Sequence, residues 1–249
     1  MTSLVTKVHV PRLVGHRGAK ASAPENTLAG IRKAREEGAA WVEFDVKLTA
    51  DGHPILMHDD TLDRTTDGRG LVAAASLEDI RRLDAGTRFS PAFRGERVPL
   101  LSEALGVLAD LDMGFNLEIK PCKGREVETA QAAMATLAAH WPVHRPIPIV
   151  SSFSQDSLAA ARGAGPDRAM FGYLADALPA GWKDEAVRLG CQSVHLGWRN
   201  LTRRQVSAVK QAGFLLLVWT VNELPRAREL LEWGADAVIS DCPAALVGL

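Results

Sequence analysis

The 249-residue chain lacks a surplus of charge of either sign: 29 lysines and arginines stand against 30 aspartates and glutamates, a formal net charge of −1. No broad positive field is therefore available to gather nucleic acid or hold an anionic membrane surface, and any anion must be gripped locally. It also lacks an apolar run long enough to cross a bilayer, so no stable membrane association is expected. The first fourteen residues carry Lys7, His9, Pro11 and Arg12 in place of the basic start, apolar stretch and small-residue cleavage site of a secretory leader. Cysteine is scarce: Cys122, Cys191 and Cys242 are odd in number, far apart and without the paired short spacing of a zinc site. Reduced thiols in a cytoplasmic protein are the simpler expectation. What is present is ordinary globular material, 47% hydrophobic and 24% charged, enough for one large core or two small ones.

Short β-rich runs alternate with helical patterns, which argues for parallel strands joined by right-handed crossovers. Eight candidate strands fall at residues 12–15, 41–47, 115–119, 147–151, 169–173, 193–196, 214–219 and 237–240. Between them apolar residues recur at three- and four-residue steps, as in Leu28, Ile31 and Ala34, or Leu224, Ala227, Leu230 and Leu231. Asn26, Ser154, Thr202 and Asn222 are placed to cap the helices that follow them. A doubly wound open sheet has the same rhythm, but eight strands in a chain of this length favour an α/β fold of the (β/α)8 or TIM-barrel type, one domain over residues 1–249. The rhythm breaks after the second strand. Residues 60–99 hold turn-forming Gly, Pro and Asp with a single short helical stretch at 77–83, and read as an inserted lid or substrate-binding loop. Gly163 and Gly165 follow a helical pattern rather than a strand, which disfavours a dinucleotide-binding turn.

In such a barrel the active site lies at the carboxyl ends of the strands. The first candidate strand runs into Gly15-His16-Arg17-Gly18, and the second carries Glu43-Phe44-Asp45. Alternation along a strand sends Glu43 and Asp45 to one side and Val42 and Phe44 to the other. Two acids facing a barrel interior are costly without a cation. Glu118-Ile119-Lys120 repeats the pattern and adds a third carboxylate and an ammonium. Three carboxylates make an all-oxygen site suited to a hard divalent cation, Mg2+ or Ca2+. His58 supplies a second imidazole beside His16, and two imidazoles suit an acid and base pair near neutral pH. Arg17 and Lys120 add fixed positive charge for phosphate oxygens. Taken singly, each of these residues has a plain structural role open to it, as a cap, a surface group or an ion-pair partner; their joint placement at strand ends points to phosphoryl transfer. Trp219 and, more weakly, Phe153 are placed to line a substrate pocket, with core packing as the alternative. His9, His53, His140, His144 and His195 fall in no comparable cluster and are read as structural.

These residues form a string that resembles the glycerophosphodiester phosphodiesterases, especially the bacterial cytosolic type. The likeness runs through Gly15-His16-Arg17-Gly18, Pro24-Glu25-Asn26-Thr27, Glu43-Phe44-Asp45-Val46, Thr49-Ala50-Asp51-Gly52 and the run from His58 to Thr66. It continues over Leu83-Asp84-Ala85-Gly86, Gly95-Glu96-Arg97-Val98-Pro99, Glu118-Ile119-Lys120, Ser152-Phe153 and Trp219-Thr220-Val221-Asn222. Leu100 and Phe44 depart mildly from the family pattern, at positions outside the candidate site. The resemblance implies that Glu43, Asp45 and Glu118 hold the divalent metal, that His16 and His58 act as base and acid in either order, and that Arg17 and Lys120 neutralise the phosphate. It implies hydrolysis of a small-molecule glycerophosphodiester to glycerol 3-phosphate and an alcohol, by way of a cyclic phosphate or by direct attack of water, and it admits a homodimer.

Two rival readings follow from the same residues. A phosphodiesterase acting on lysophospholipids or phosphoinositides would need an apolar mouth, for which Leu71, Phe89 and Phe93 are candidates. A non-catalytic barrel that merely binds glycerophosphodiesters is disfavoured by the presence of both imidazoles and all three carboxylates.

Overall fold

The structure, a computed structural model, describes residues 9–165 and 168–249. The leaderless reading of the extreme N-terminus falls, for residues 1–8, outside the described residues. The strands are β1 (Leu13–His16), β2 (Trp41–Leu48), β3 (Pro54–Leu56), β4 (Gly114–Ile119), β5 (Ile149–Ser152), β6 (Met170–Ala175), β7 (Ser193–Gly197), β8 (Leu215–Trp219) and β9 (Ala237–Ser240). All but β3 pair in parallel in the order β1-β2-β4-β5-β6-β7-β8-β9, and β9 returns to β1, which closes an eight-stranded barrel. Each of the eight expected strands is present with its ends within two residues of the expected positions. β3 is the one addition, an antiparallel strand that pairs Leu56 with Val46 on β2.

The helices are α1 (Leu28–Glu36), α2 (Leu77–Arg82), α3 (Leu101–Asp110), α4 (Glu126–His140), α5 (Gln155–Ala164), α6 (Trp182–Arg188), α7 (Arg203–Gln211) and α8 (Leu224–Trp233). Two expected caps are where the sequence puts them: Ser154 accepts from Ser157 N, and Thr202 forms a reciprocal capping box with Gln205. The other two are not. α1 is capped by Thr27, and α8 starts after Glu223 with a proline in its first turn. Asn26 and Asn222 are chemically good caps, but their amides are spent on Asp45 and Asp241 across the barrel mouth. The Gly163 and Gly165 pair sits at the end of α5, away from any strand-to-helix turn.

Alternation along the strands sorts the apolar side chains into two layers. Val42, Phe44 and Val46 of β2 face outward and pack with Leu117 and Ile119 of β4 against Ile31, Leu105 and Met134 on the helices. Inside the barrel, Val14, Trp41, Ile149, Leu217 and Ile239 fill the amino-terminal half. Gly114 is required there, because a Cβ would lie 2.2 Å from the Trp41 ring. A third cluster of Ile55, Met57, Leu62, Val72, Ile80 and Val98 anchors the segment between β3 and α3 over the barrel rim. Burying each such side chain contributes roughly 1.5–3 kcal/mol, so the segment is held as a fixed wall beside the mouth. No helix among the described residues is long and apolar enough to cross a membrane.

Candidate active site

The register of three neighbouring strands assembles the site. His16 at the end of β1 lies beside Glu43 on β2, and Asp45, two residues further on, lies beside Glu118 on β4. One oxygen from each acid comes within 4.8 Å of the other two, and all three residues are buried. After His16 the chain turns sharply. Arg17 takes a left-handed conformation at φ 52°, and Gly18, at φ 88°, presses so closely on α1 that a Cβ would meet the Gly30 backbone at 2.4 Å. Strain of this kind in a bulky residue persists only where its surroundings hold it. Here the Arg17 backbone N–H donates to Glu43 Oε2 at 3.1 Å, its Nη1 donates to Glu25 Oε1 at 2.8 Å, and its Nε lies 3.2 Å from Asp45 Oδ2.

Lys120 extends the same arrangement. Its ammonium donates to Glu118 Oε1 at 2.9 Å and stands 3.7 Å from Asp45 Oδ1. Asn26 holds Asp45 at both ends, donating from Nδ2 to Oδ2 at 2.8 Å and accepting from the Asp45 backbone N–H at 3.1 Å. Arg17 and Lys120 leave three buried acids undercompensated. Burial first, and then Asp45 and Glu118, push the Glu43 carboxyl well above the usual range. Glu118 is pushed up to about 7 by burial and Asp45, with Lys120 opposing. Asp45 is also penalised by burial, yet Arg17, His58, Lys120 and Asn26 outweigh that penalty and hold it low. Glu43 Oε1 is buried without a hydrogen-bond partner among the described residues. With Glu43 and Glu118 both raised and one Glu43 oxygen unpartnered, the all-oxygen donor set of the three acids could hold a hard divalent cation.

The two imidazoles are built alike. His16 Nδ1 lies 2.6 Å from Asp241 Oδ1, and His58 Nδ1 lies 2.7 Å from Asp59 Oδ1. With each Nδ1 engaged by a carboxylate, each Nε2 is left for the cavity; that of His16 stands 3.8 Å from Glu43 Oε2. Burial lowers the pKa of both below the usual histidine value, and the partner aspartates only partly offset it. Both rings are therefore neutral near pH 7. Asp241 is itself fixed by Asn222, which donates to Oδ2 at 2.9 Å and accepts from the Asp241 backbone N–H.

His16, Arg17, Glu43, His58, Glu118 and Lys120 line one cavity of about 240 Å3, together with Phe153 and Trp219. Asp45 sits among them without reaching the open volume, its oxygens taken by Asn26, Arg17 and Lys120. Phe153 and Trp219 meet edge to face with ring centroids 5.7 Å apart, and the Lys120 ammonium lies 5.4 Å from the Phe153 ring. The candidate catalytic, metal-binding and substrate-lining residues are thus all at this mouth, whereas none of the apolar candidates Leu71, Phe89 and Phe93 lines it. Asp241, Glu25 and Asn116 were not singled out as site residues; Asp241 directly follows the last strand, and that position alone was a usable signal. His195, read as structural, also lines the cavity. It is fully buried, with Nε2 2.9 Å from Ser193 Oγ and its pKa pushed down to about 3 by burial. It is a neutral wall residue on β7, across the barrel from the acids.

The model of the glycerophosphoryl diester phosphodiesterase family matches residues 16–245. A glycerophosphodiester phosphodiesterase of Caldanaerobacter subterraneus subsp. tengcongensis is 34% identical over 95% of this chain and 96% of its own length. A second glycerophosphodiester phosphodiesterase, from Bacillus subtilis, is 30% identical over 92% of this chain and 83% of its own. Among solved structures, an Oleispira antarctica phosphodiesterase in complex with the product sn-glycerol-3-phosphate superposes with a TM-score of 0.92 at 40% identity, covering 95% of both chains.

Proposed function

The chain belongs to the glycerophosphoryl diester phosphodiesterase family, and from that premise we propose that it hydrolyses glycerophosphodiesters to glycerol 3-phosphate and an alcohol with the help of a divalent cation, Mg2+ or Ca2+, held by Glu43, Asp45 and Glu118. The carrying observation is the convergence of those three acids within 4.8 Å at the cavity that both imidazoles enter. Glu43, Asp45 and Glu118 would hold the cation, which would supply the positive charge these acids lack and Lewis acidity at the site. Arg17 and Lys120 grip the phosphate oxygens, and their charge offsets what builds up on them as the pentavalent state forms.

His16 is assigned as the base. It is neutral, its Nδ1 is held by Asp241, and its Nε2 is on the Glu43 side, where it takes the proton of the attacking oxygen. His58 is assigned as the acid. It lies on the more open side, with Asp59 raising its affinity for a proton, and the fraction of the ring protonated at Nε2, which shrinks as pH rises, gives that proton to the departing alkoxide. Phe153 and Trp219 exclude water from the side of the cavity facing Lys120. Segment 60–99 walls the mouth on the His58 side as part of one domain. The three free thiols support a cytoplasmic setting.

A coupled glycerol 3-phosphate assay on glycerophosphocholine tests this reading. Chelation is expected to abolish turnover, and Mg2+ or Ca2+ to restore it. His58→Ala is expected to lose roughly 10²–10³-fold on an alkyl alcohol, but little on a p-nitrophenyl ester, whose leaving group needs no proton. His16→Ala is expected to lose activity on both. Equal losses for both variants on both substrates would remove the acid and base assignment, and faster turnover of lysophosphatidylcholine than of glycerophosphocholine would favour the lipid reading.

A further inference from the structure

Beyond the Arg17–Glu25 pair a second cavity, of about 220 Å3, opens between the loop after β1 and the segment that joins β3 to α3. Its charged walls are Lys20, Arg64 and Arg88 against the single acid Glu25, with Phe89 adding an apolar side. Two of the three cations are tied back to the catalytic cavity through shared carboxylates. Lys20 Nζ is 3.9 Å from Asp241 Oδ1, the atom that holds His16. Arg64 donates to Glu25 Oε1, which also accepts from Arg17, and to Asp59, which holds His58. A single carboxylate therefore separates Arg64 in this cavity from Arg17 in the other.

Arg88 is different. Its Nε donates to the Thr66 carbonyl at 2.5 Å, and no carboxylate among the described residues pairs with its guanidinium. The turn that carries it is pinned. Asp84 accepts from the backbone N–H groups of Gly86, Thr87 and Gly95, and Phe89 packs edge-on against Phe93. The Arg88 side chain is thus anchored through Nε on a pinned turn, with its exposed fork open in a net-positive cavity.

We propose that this cavity is a subsite for an acidic group on the alcohol half of the substrate, so that the enzyme selects glycerophosphodiesters whose alcohol carries a further phosphate monoester or carboxylate. The inference rests on the proposed function for its substrate frame. A phosphate monoester is the better fit, because a guanidinium fork takes two of its oxygens at once. Cationic head groups such as choline are correspondingly disfavoured there.

Glycerophosphoinositol and glycerophosphoinositol 4-phosphate differ by one phosphate monoester and make the test pair. The wild-type kcat/KM is expected to favour the phosphorylated compound about ten-fold at low salt, the scale of one charge-assisted hydrogen bond, and the ratio is expected to fall as ionic strength rises. Arg88→Gln is expected to bring the ratio near unity while leaving glycerophosphoinositol turnover unchanged, and Arg88→Lys to restore part of it. A thermal melt confirms that the variants are folded. Equal kcat/KM for the two compounds in wild type, or an undiminished ratio in Arg88→Gln, would overturn the proposal. Should neither compound be turned over, the proposed function fails on its own account, and the same ratio measured as calorimetric affinity for wild type and Arg88→Gln decides the subsite. The carboxylate source is distinguished by glycerophosphoserine against glycerophosphoethanolamine.

Discussion

The barrel interior is divided across its middle, and on four of its strands a step of two residues crosses the division. On β1 the inward side chain passes from Val14 to His16, on β2 from Trp41 to Glu43 and Asp45, on β8 from Leu217 to Trp219, and at the end of β9 from Ile239 to Asp241. The amino-terminal half is an apolar plug in van der Waals contact; the carboxyl-terminal half is a cluster of acids, cations and imidazoles with an orphaned oxygen. The same parallel strand pairing runs through both halves. The plug stabilises the barrel, and that stability allows the mouth to keep charges that oppose folding.

This division can be broken at either half, and the largest effect is expected at the mouth. His16→Ala should lower kcat/KM on glycerophosphocholine by roughly 10³-fold or more while the melting temperature moves by only a few degrees, since Asp241 keeps Asn222 as a partner. A comparable loss of fold and activity would mean that the mouth is part of the structural core. Trp41→Ala is the converse: urea unfolding should register a loss of about 3–5 kcal/mol, and kcat per folded molecule should hold. A smaller effect is expected from Asp241→Asn, which leaves His16 in place but removes the charge that orients it and supports its protonation. A loss of roughly 10–100-fold is expected, the scale of a carboxylate that orients a working imidazole. With Asp241 gone the His16 pKa falls further, so the acid limb of the pH–rate profile should move to lower pH, a shift that a packing defect would not produce.

The smallest effect sharpens the comparison through pH. Glu118 is raised from the usual value to about 7, so without metal its ionisation opposes folding between about pH 4.5 and 7. Relative stability is present below that window and is lost as pH rises through it. Metal-free Glu118→Gln should therefore gain on metal-free wild type by of the order of 1–3 kcal/mol in going from pH 5 to pH 8. Comparing the two proteins cancels the opposite contributions of His16 and His58, whose lowered pKa values favour folding as pH rises. Saturating Mg2+ or Ca2+ should reverse the sign at pH 8, stabilising wild type and not the variant, as followed by calorimetric melting. No such difference would mean that Glu118 does not feel its acidic neighbours.

Much of this organisation was legible in the amino-acid order because it depends on local periodicity. The two-residue repeat of Glu43 and Asp45 with Phe44 between them already implies that acids and core face opposite ways. Glu118 and Lys120 carry the same information on β4. Structure departs from local pattern where a side chain has two good options. Asn26 and Asn222 fit helix caps, but pairing with Asp45 and Asp241 satisfies them more fully inside the mouth. His195 has no charged neighbour in sequence and read as structural; only closure of the barrel brings it to the cavity wall. The short strand β3 lies outside the eight-strand rhythm, and nothing local indicates that it pairs antiparallel with β2.

By itself the sequence determined the alternating elements, the eight barrel strands, and which side chains on each strand face inward, because φ/ψ preference and side-chain alternation act over a few residues. Tertiary structure decided the rest. The hydrogen bond from His16 to Asp241 spans 225 positions and exists because β9 closes on β1. The raised carboxyls of Glu43 and Glu118 exist because the register of β2 and β4 brings like charges together out of water. Electrostatic energy depends on distance and burial, and neither is written along the chain.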